Sequence, residues 1–527
     1  MKTPYLPYLT LWLILAVAVP VIAQPQPLTS TQIDALVQRT LTTFDVPGIA
    51  VAVVKDGQVV HSKGYGVRSL RNGGKVDENT LFGIASNSKA FTAAALGMLM
   101  DEGKLRWDDK VIDYVPEFRM YAPYVTDAFT LRDLLTHRSG LGLGAGDLMF
   151  WPDSSNFTMP DLLHNLHYLK PISGFRTKYD YDNLLYMVAG EVIERVSGKS
   201  WEEFVENRMM QPLNMANSAG SWKRVANKTN AIDAHARVDG TVRVIRRDSL
   251  RFGQSAGGIN SSVADMSKWV IAQLNDGKYG PDGSKRLFSK AVHDEMWTPQ
   301  TIIPVSPTPA PPYNTHFAAY GLGWFLSDVA GLKQVTHTGG LSGMVTQVTL
   351  LPERKLGIIV FTNQESGAAF SAITNTIKDS YLGLVATDWV GKYGDREKKG
   401  RVEADSITRT IWTDIDNARK TSKPISFSEY VGTYHDQWLG NVVLSEKGGK
   451  WWFQSVRSPK LTGEVFHYKN NTFVVKWNLR SMNADAYLTF AVDENLKPVS
   501  ITMKPISPLT DFSYDFQDLD LQRVKGM

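Results

Sequence analysis

Apolar residues recur at helical spacing, then at strand spacing, then at helical spacing again. Ile33, Leu36, Val37 and Leu41 share one face over residues 31–45, which predicts a helix capped by Ser30 or Thr31. Residues 48–54 (GIAVAVV) form an unbroken apolar run, the pattern of a buried strand. Asp56-Gly57 is a hairpin turn signal, and residues 58–66 return as a second strand. A helix rich in Ala, Leu and Met is predicted over residues 87–102. The middle of the chain reads mainly as helix and loop, with helices over 130–135, 184–196, 201–210 and 263–274. After a Pro-rich loop (299–312), strand patterns return at 321–327, 335–338, 343–351 and 356–363, and a helix follows over 366–383. Strands at both ends with helices between them predict an α+β fold: one antiparallel sheet flanked by helices, plus a mostly helical subdomain.

Beyond residue 387 the pattern changes. Residues 388–426 are charged with little apolar periodicity, a linker or a bridging helix. From 427 to 527, short aromatic strands alternate with turn signals, at 429–434, 441–444, 451–454, 472–477, 486–492 and 499–503. This is a small all-β domain, sandwich or barrel.

Composition narrows the function. The 527 residues are 43% hydrophobic and 21% charged, with a net charge of +4 and no basic stripe, so no nucleic-acid partner is expected. One basic residue (Lys2), an apolar run over 9–19 and small residues at Val21 and Ala23 predict a signal peptide, residues 1–23, cleaved after Ala23. The run is shorter than the ~20 residues of a membrane span. The expected location is periplasmic or secreted, with no stable membrane span after processing and the mature chain starting at 24. With no cysteine, disulfides, thiol nucleophiles and thiolate metal sites are excluded. The ten His are scattered without a His-Glu-x-x-His pattern, and His164 and His167 read as surface or packing residues. No metal or cofactor is expected.

The candidate chemistry lies in Phe82-Gly83-Ile84-Ala85-Ser86-Asn87-Ser88-Lys89, the sole Ser-x-x-Lys in the chain. Residues three apart on a helix are neighbours, so the amine can reach the hydroxyl. A serine hydroxyl needs a base, and a lysine serves once burial lowers its pKa. The helix start also offers free N–H groups to an oxyanion.

Three more motifs follow in order: Thr136-His137-Arg138-Ser139-Gly140-Leu141, Tyr181-Asp182-Asn183 and His337-Thr338-Gly339-Gly340. With Ser86 and Lys89, they make residues 30–385 resemble the serine β-lactamase-related family of class C β-lactamases, DD-peptidases, esterases and D-aminopeptidases. The resemblance implies Ser86 as nucleophile and Lys89 as base. It implies Tyr181 as phenolate or proton relay and Asn183 as a holder of Lys89 and the substrate amide. His337, Thr338, Gly339 and Gly340 would form an edge strand lining the site, with the N–H groups of Ser86 and Gly340 as oxyanion hole. His137 would brace the fold. His337 stands where many members have Lys. A largely neutral imidazole that donates at most a hydrogen bond argues against β-lactams and for an ester, amide or D-amino-acid peptide. β-Lactamase, DD-carboxypeptidase and a penicillin-binding sensor that does not turn over are the alternatives. The expected partner is a small molecule or short peptide, with the cell wall as a candidate source. Residues 427–525 resemble the β-domain often appended to this family, notably at Glu429–Tyr434 and Asp511-Phe512-Ser513-Tyr514; it could cover the mouth of the site, bind a partner or stabilise the fold.

Overall fold

The computed structural model describes residues 26–421 and 426–525. The expected signal peptide, residues 1–23, lies outside the described residues. Among the described residues, no helix is long and apolar enough to cross a membrane.

The two ends of the first domain meet in one sheet. Strands β1 (Gly48–Lys55) and β2 (Gln58–Gly66) join β3 (Thr301–Ile303), β4 (Ala318–Tyr320), β5 (Phe325–Val329), β6 (Leu332–Leu341), β7 (Met344–Leu351) and β8 (Leu356–Thr362). Their order is β2-β1-β8-β7-β6-β5-β4-β3, antiparallel at every pair. The unbroken apolar run of β1 follows from its position between two cores. Ala50, Ala52 and Val54 face one core, while Ile49, Val51 and Val53 face the other.

Helix α1 (Ser30–Phe44) and a C-terminal helix (Gly367–Leu382) cover one face of the sheet. Helix α2 (Ser88–Asp101), α3 (Leu184–Ser197) and α4 (Val263–Leu274) build the core on the other. Helix α2 is buried from Ser88 to Leu99, which its small alanines permit. The cap of α1 is Thr29, one residue before the expected pair, in a reciprocal box with Gln32. Of the strand expected at 321–327, residues 325–327 belong to β5, whereas 321–324 form the turn between β4 and β5. The Gly321 N–H donates to the Trp324 carbonyl, and Gly323 takes φ 79°.

A helix from Trp389 to Thr421 runs through the segment read as linker or bridging helix. The C-terminal domain is a closed eight-stranded barrel, which resolves the choice between sandwich and barrel. Tyr434 and His435 on its first strand pair with Arg523 and Gln522 on its last. Two strands, Thr462–Lys469 and Leu521–Arg523, carry too weak a local pattern to be read from sequence. Inward residues such as Tyr434, Leu444, Phe473, Trp477 and Ile501 fill the barrel.

Candidate active site

Ser86 sits in a tight turn between a two-residue strand, Phe82–Gly83, and α2. Ala85 before it takes φ 49°, a left-handed conformation that is costly for alanine. The surroundings hold the turn in place. Thr346 of β7 donates to the Ile84 carbonyl (2.9 Å) and accepts from Asn87 Nδ2 (2.9 Å). Strand β6 passes so close that a Cβ on Gly339 would lie 2.2 Å from the Ile84 oxygen, so only glycine fits. A Cβ on Gly340 would meet nothing nearer than Val345 at 3.9 Å, which leaves that stretch of backbone open to a ligand.

Lys89 is fully buried. Its Nζ lies 3.0 Å from Ser86 Oγ, 2.8 Å from Asn183 Oδ1 and 2.9 Å from the Ala256 carbonyl oxygen. Three acceptors thus match the three N–H groups of an ammonium. Burial lowers the Lys89 pKa from 10.5 to about 7, and the carboxyls of Asp147 and Asp182 resist the fall. The amine therefore accepts a proton near neutral pH. The Tyr181 ring lies 4.9 Å from Lys89 Nζ and lines the same cavity as Ser86. Burial drives the Tyr181 pKa well above its usual value. Of the two expected roles, phenolate or proton relay, the raised pKa fits the relay, with Tyr181 as phenol.

Asn183 points its oxygen at Lys89 and its Nδ2 at Asp147 (2.8 Å). It does not cap α3. Asp182 does, accepting the N–H groups of Leu184 and Leu185. His137 accepts the Asp182 N–H at Nδ1 (3.0 Å) and packs its ring 4.1 Å from that of Tyr181, so it shapes the loop carrying Tyr181 and Asn183.

His337 departs from expectation twice. Strand β6 is interior to the sheet. Only its residues 337–341 lack a partner on the β5 side, because β5 pairs no further than Thr336. The segment lining the site is thus a local free edge rather than an edge strand. The ring is also buried, with Nδ1 donating to the Thr338 carbonyl (2.6 Å) and Nε2 accepting from the Tyr320 hydroxyl (2.9 Å). Its one proton is therefore not free for a substrate. Burial, reinforced by the charge of Lys89, lowers its pKa to about 3. Thr338 is exposed beside it.

Ser86, Tyr181, Asn183 and residues 337–340 line one cavity of about 510 Å3. Its far wall comes from the barrel domain, through Phe512 and its neighbours; the Phe512 ring meets that of Tyr181 edge-on at 5.9 Å. Among the described residues lining the cavity there is no Lys or Arg, but there are two carboxyls, Glu365 and Asp511. Burial raises both, and the nearby Asp511 carboxyl adds to the rise of Glu365, to about 7. No local motif in the sequence announces Asp147, Thr346 or Glu365. Outside the cavity, Asp276, His293 and Asp294 come within metal-binding reach of one another, but the Lys290 ammonium already pairs with Asp294.

Comparisons with known proteins bear on the family and the fold. The C-terminal residues 416–523 match a domain of unknown function (DUF3471). An unguisins hydrolase of Aspergillus violaceofuscus is 27% identical over 80% of this chain and 78% of its own. Protein flp of Staphylococcus aureus is 28% identical over 64% of this chain and 63% of its own. In fold, the octameric penicillin-binding protein homologue of Pyrococcus abyssi superposes with a TM-score of 0.58 at 20% identity, over 93% of this chain and 99% of that one. A class C β-lactamase does so with a TM-score of 0.53 at 22% identity, over 67% of this chain and 96% of its own. The pattern of the Beta-lactamase family matches residues 33–382, and the chain belongs to that family of serine hydrolases.

Proposed function

We propose that this protein is an exported serine hydrolase that cleaves an ester, amide or D-amino-acid peptide bond through an acyl-enzyme on Ser86. The observation that carries the reading is the contact between Ser86 Oγ and a buried Lys89 whose amine is poised near neutral pH. Ser86 Oγ bonds to the carbonyl carbon as its proton passes to Lys89. The oxyanion is held by the N–H groups of Ser86 and Gly340. The leaving group departs with a proton relayed by the Tyr181 phenol, and water then releases the acyl group by the reverse relay. Asn183 orients Lys89, while Thr338 and Gly339 line the acyl site. A cavity of about 510 Å3 suits a small molecule or a short peptide. Its lack of Lys and Arg, the neutral His337 and the two carboxyls disfavour an anionic substrate and favour a neutral or amine-bearing one. The relative named as an unguisins hydrolase supports hydrolysis as the reaction class.

The test uses residues 24–527 and a Ser86→Ala variant against p-nitrophenyl esters, D-alanyl p-nitroanilides and nitrocefin, with intact-mass detection of acyl adducts. Turnover of the esters or anilides that falls by about 10^3-fold or more in the variant supports the reading. A lasting adduct without turnover would replace it with a sensor, and efficient nitrocefin hydrolysis would overturn the substrate assignment.

A further inference from the structure

We propose that the barrel domain completes the catalytic machinery: Ser513, acting through Asp147 and Asn183, is a positioning residue that sets the orientation and basicity of Lys89. The proposal rests on the reading of Ser86 and Lys89 given above.

Three hydrogen bonds link the barrel to the nucleophile's base. Ser513 Oγ donates to Asp147 Oδ2 at 2.7 Å. Asn183 Nδ2 donates to the same oxygen at 2.8 Å. Asn183 Oδ1 then accepts from Lys89 Nζ at 2.8 Å. An amide has one face that donates and one that accepts. Fixing its Nδ2 on Asp147 therefore fixes its oxygen on Lys89. Ser513 is buried and Asp147 fully so, and the other Asp147 oxygen has no hydrogen-bond partner among the described residues. Among the described residues, no cation pairs with Asp147 directly. A buried carboxyl without a partner cation is costly, and it is held here by a serine and an asparagine.

The barrel grips the same turn a second time. Asp515, fully buried, accepts the N–H groups of Gly146 (2.7 Å) and Leu148 (3.2 Å), the residues flanking Asp147. Gly144 lies so close that a Cβ would sit 2.8 Å from the Phe512 ring. One short barrel segment thus fixes both the backbone around Asp147 and its carboxyl. A domain that only covered the mouth of the site would require neither.

The electrostatic consequence has a sign. The groups packed around Lys89 are the carboxyls of Asp147 and Asp182, which act on its pKa, the rings of Tyr181 and Tyr186, and the neutral imidazoles of His137 and His337. Burial pushes the Asp147 carboxyl well above its usual range, and the Ser513 and Asn183 hydrogen bonds oppose that and favour the ionised form, whose charge holds the Lys89 pKa up. Removing the hydroxyl weakens that support, so the Lys89 pKa falls further.

The experiment reads Ser86 reactivity without requiring the natural substrate. A fluorophosphonate labels an activated serine: Oγ bonds to phosphorus, the P–F bond breaks, fluoride leaves and the serine proton passes to Lys89. Labelling rates are measured by intact mass from acid to alkaline pH for the full mature chain and for Ser513→Ala, Ser513→Thr and Asp147→Asn. In the Ser513→Ala and Asp147→Asn variants the plateau is expected to drop about tenfold, and the pH of half-maximal labelling to move downward. Ser513→Thr, which keeps a hydroxyl, is expected to restore both. Thermal melts accompany each variant. A lower plateau with an unmoved midpoint means a merely structural contact and overturns the proposal, as does an unchanged Ser513→Ala profile. Absence of Ser86 labelling in the unaltered chain would instead remove the nucleophile assignment itself, and this proposal with it.

Discussion

Replacing Lys89 by methionine abolishes turnover and makes the protein more stable, by an amount that depends on pH. Lowering a lysine pKa from 10.5 to about 7 corresponds to about 5 kcal/mol, at about 1.36 kcal/mol per pH unit. Below about pH 7, Lys89 is charged in both the folded and the unfolded chain, and the full cost of burying the ammonium is felt. Above that, the folded chain gives up the proton while the unfolded chain keeps it until about pH 10.5. The unfolded state then binds more protons, and stability rises with pH. At about pH 9 the residual cost is about 2 kcal/mol. The substitution also leaves Asn183 Oδ1 and the Ala256 carbonyl without their donor, which subtracts a penalty nearly independent of pH. The quantity to measure is therefore the difference between two differences. Urea unfolding of both proteins at about pH 6 and about pH 9 should show the advantage of Lys89→Met shrinking by about 3 kcal/mol at the higher pH. An advantage equal at both pH values would refute the argument, because Lys89 would then titrate as an ordinary lysine. The same ionisation makes kcat/KM of the unaltered enzyme rise through about pH 7 to a plateau.

Gly339→Ala places a methyl 2.2 Å from the Ile84 oxygen, so it should cost about 1–3 kcal/mol in thermal or urea melts and remove most activity by displacing the Ser86 turn. Thr346→Val keeps the shape of the side chain but leaves Asn87 Nδ2 only a long bond (3.4 Å) to the Ile84 carbonyl and removes the Thr346 donor from that carbonyl; a loss of about 1–3 kcal/mol is expected, with a lower kcat and little change in KM. His337→Gln should leave the limb of the pH–rate profile near 7 in place, since His337 is protonated only near about 3; disappearance of that limb would assign it to the imidazole. Phe512→Ala opens the cavity beside Tyr181, and the ratio of kcat/KM for long-chain over acetyl p-nitrophenyl esters should rise.

What could be read from the sequence is what short-range geometry dictates. Ser86 and Lys89 are three residues apart at a helix start, so their 3.0 Å contact follows from helical spacing. The apolar run of β1, the Asp56-Gly57 turn and the amphipathic α3 carry equally local signals. The order of the motifs was enough to place the chain in its family. The rest depended on residues far apart in the chain. The acceptors that hold Lys89 lie 94 and 167 residues away, and Ser513 reaches Asp147 across 366. The His337 motif reads as an open edge able to donate a hydrogen bond. Only the neighbouring β5 and Tyr320 decide that the strand is half covered and that the ring is buried and its proton spent. Barrel closure and the entry of its Phe512–Asp515 segment into the site likewise have no local signature. Local pattern constrains backbone conformation and the facing of near neighbours; desolvation, and with it the basicity of Lys89, is set by whatever the folded chain packs around the group.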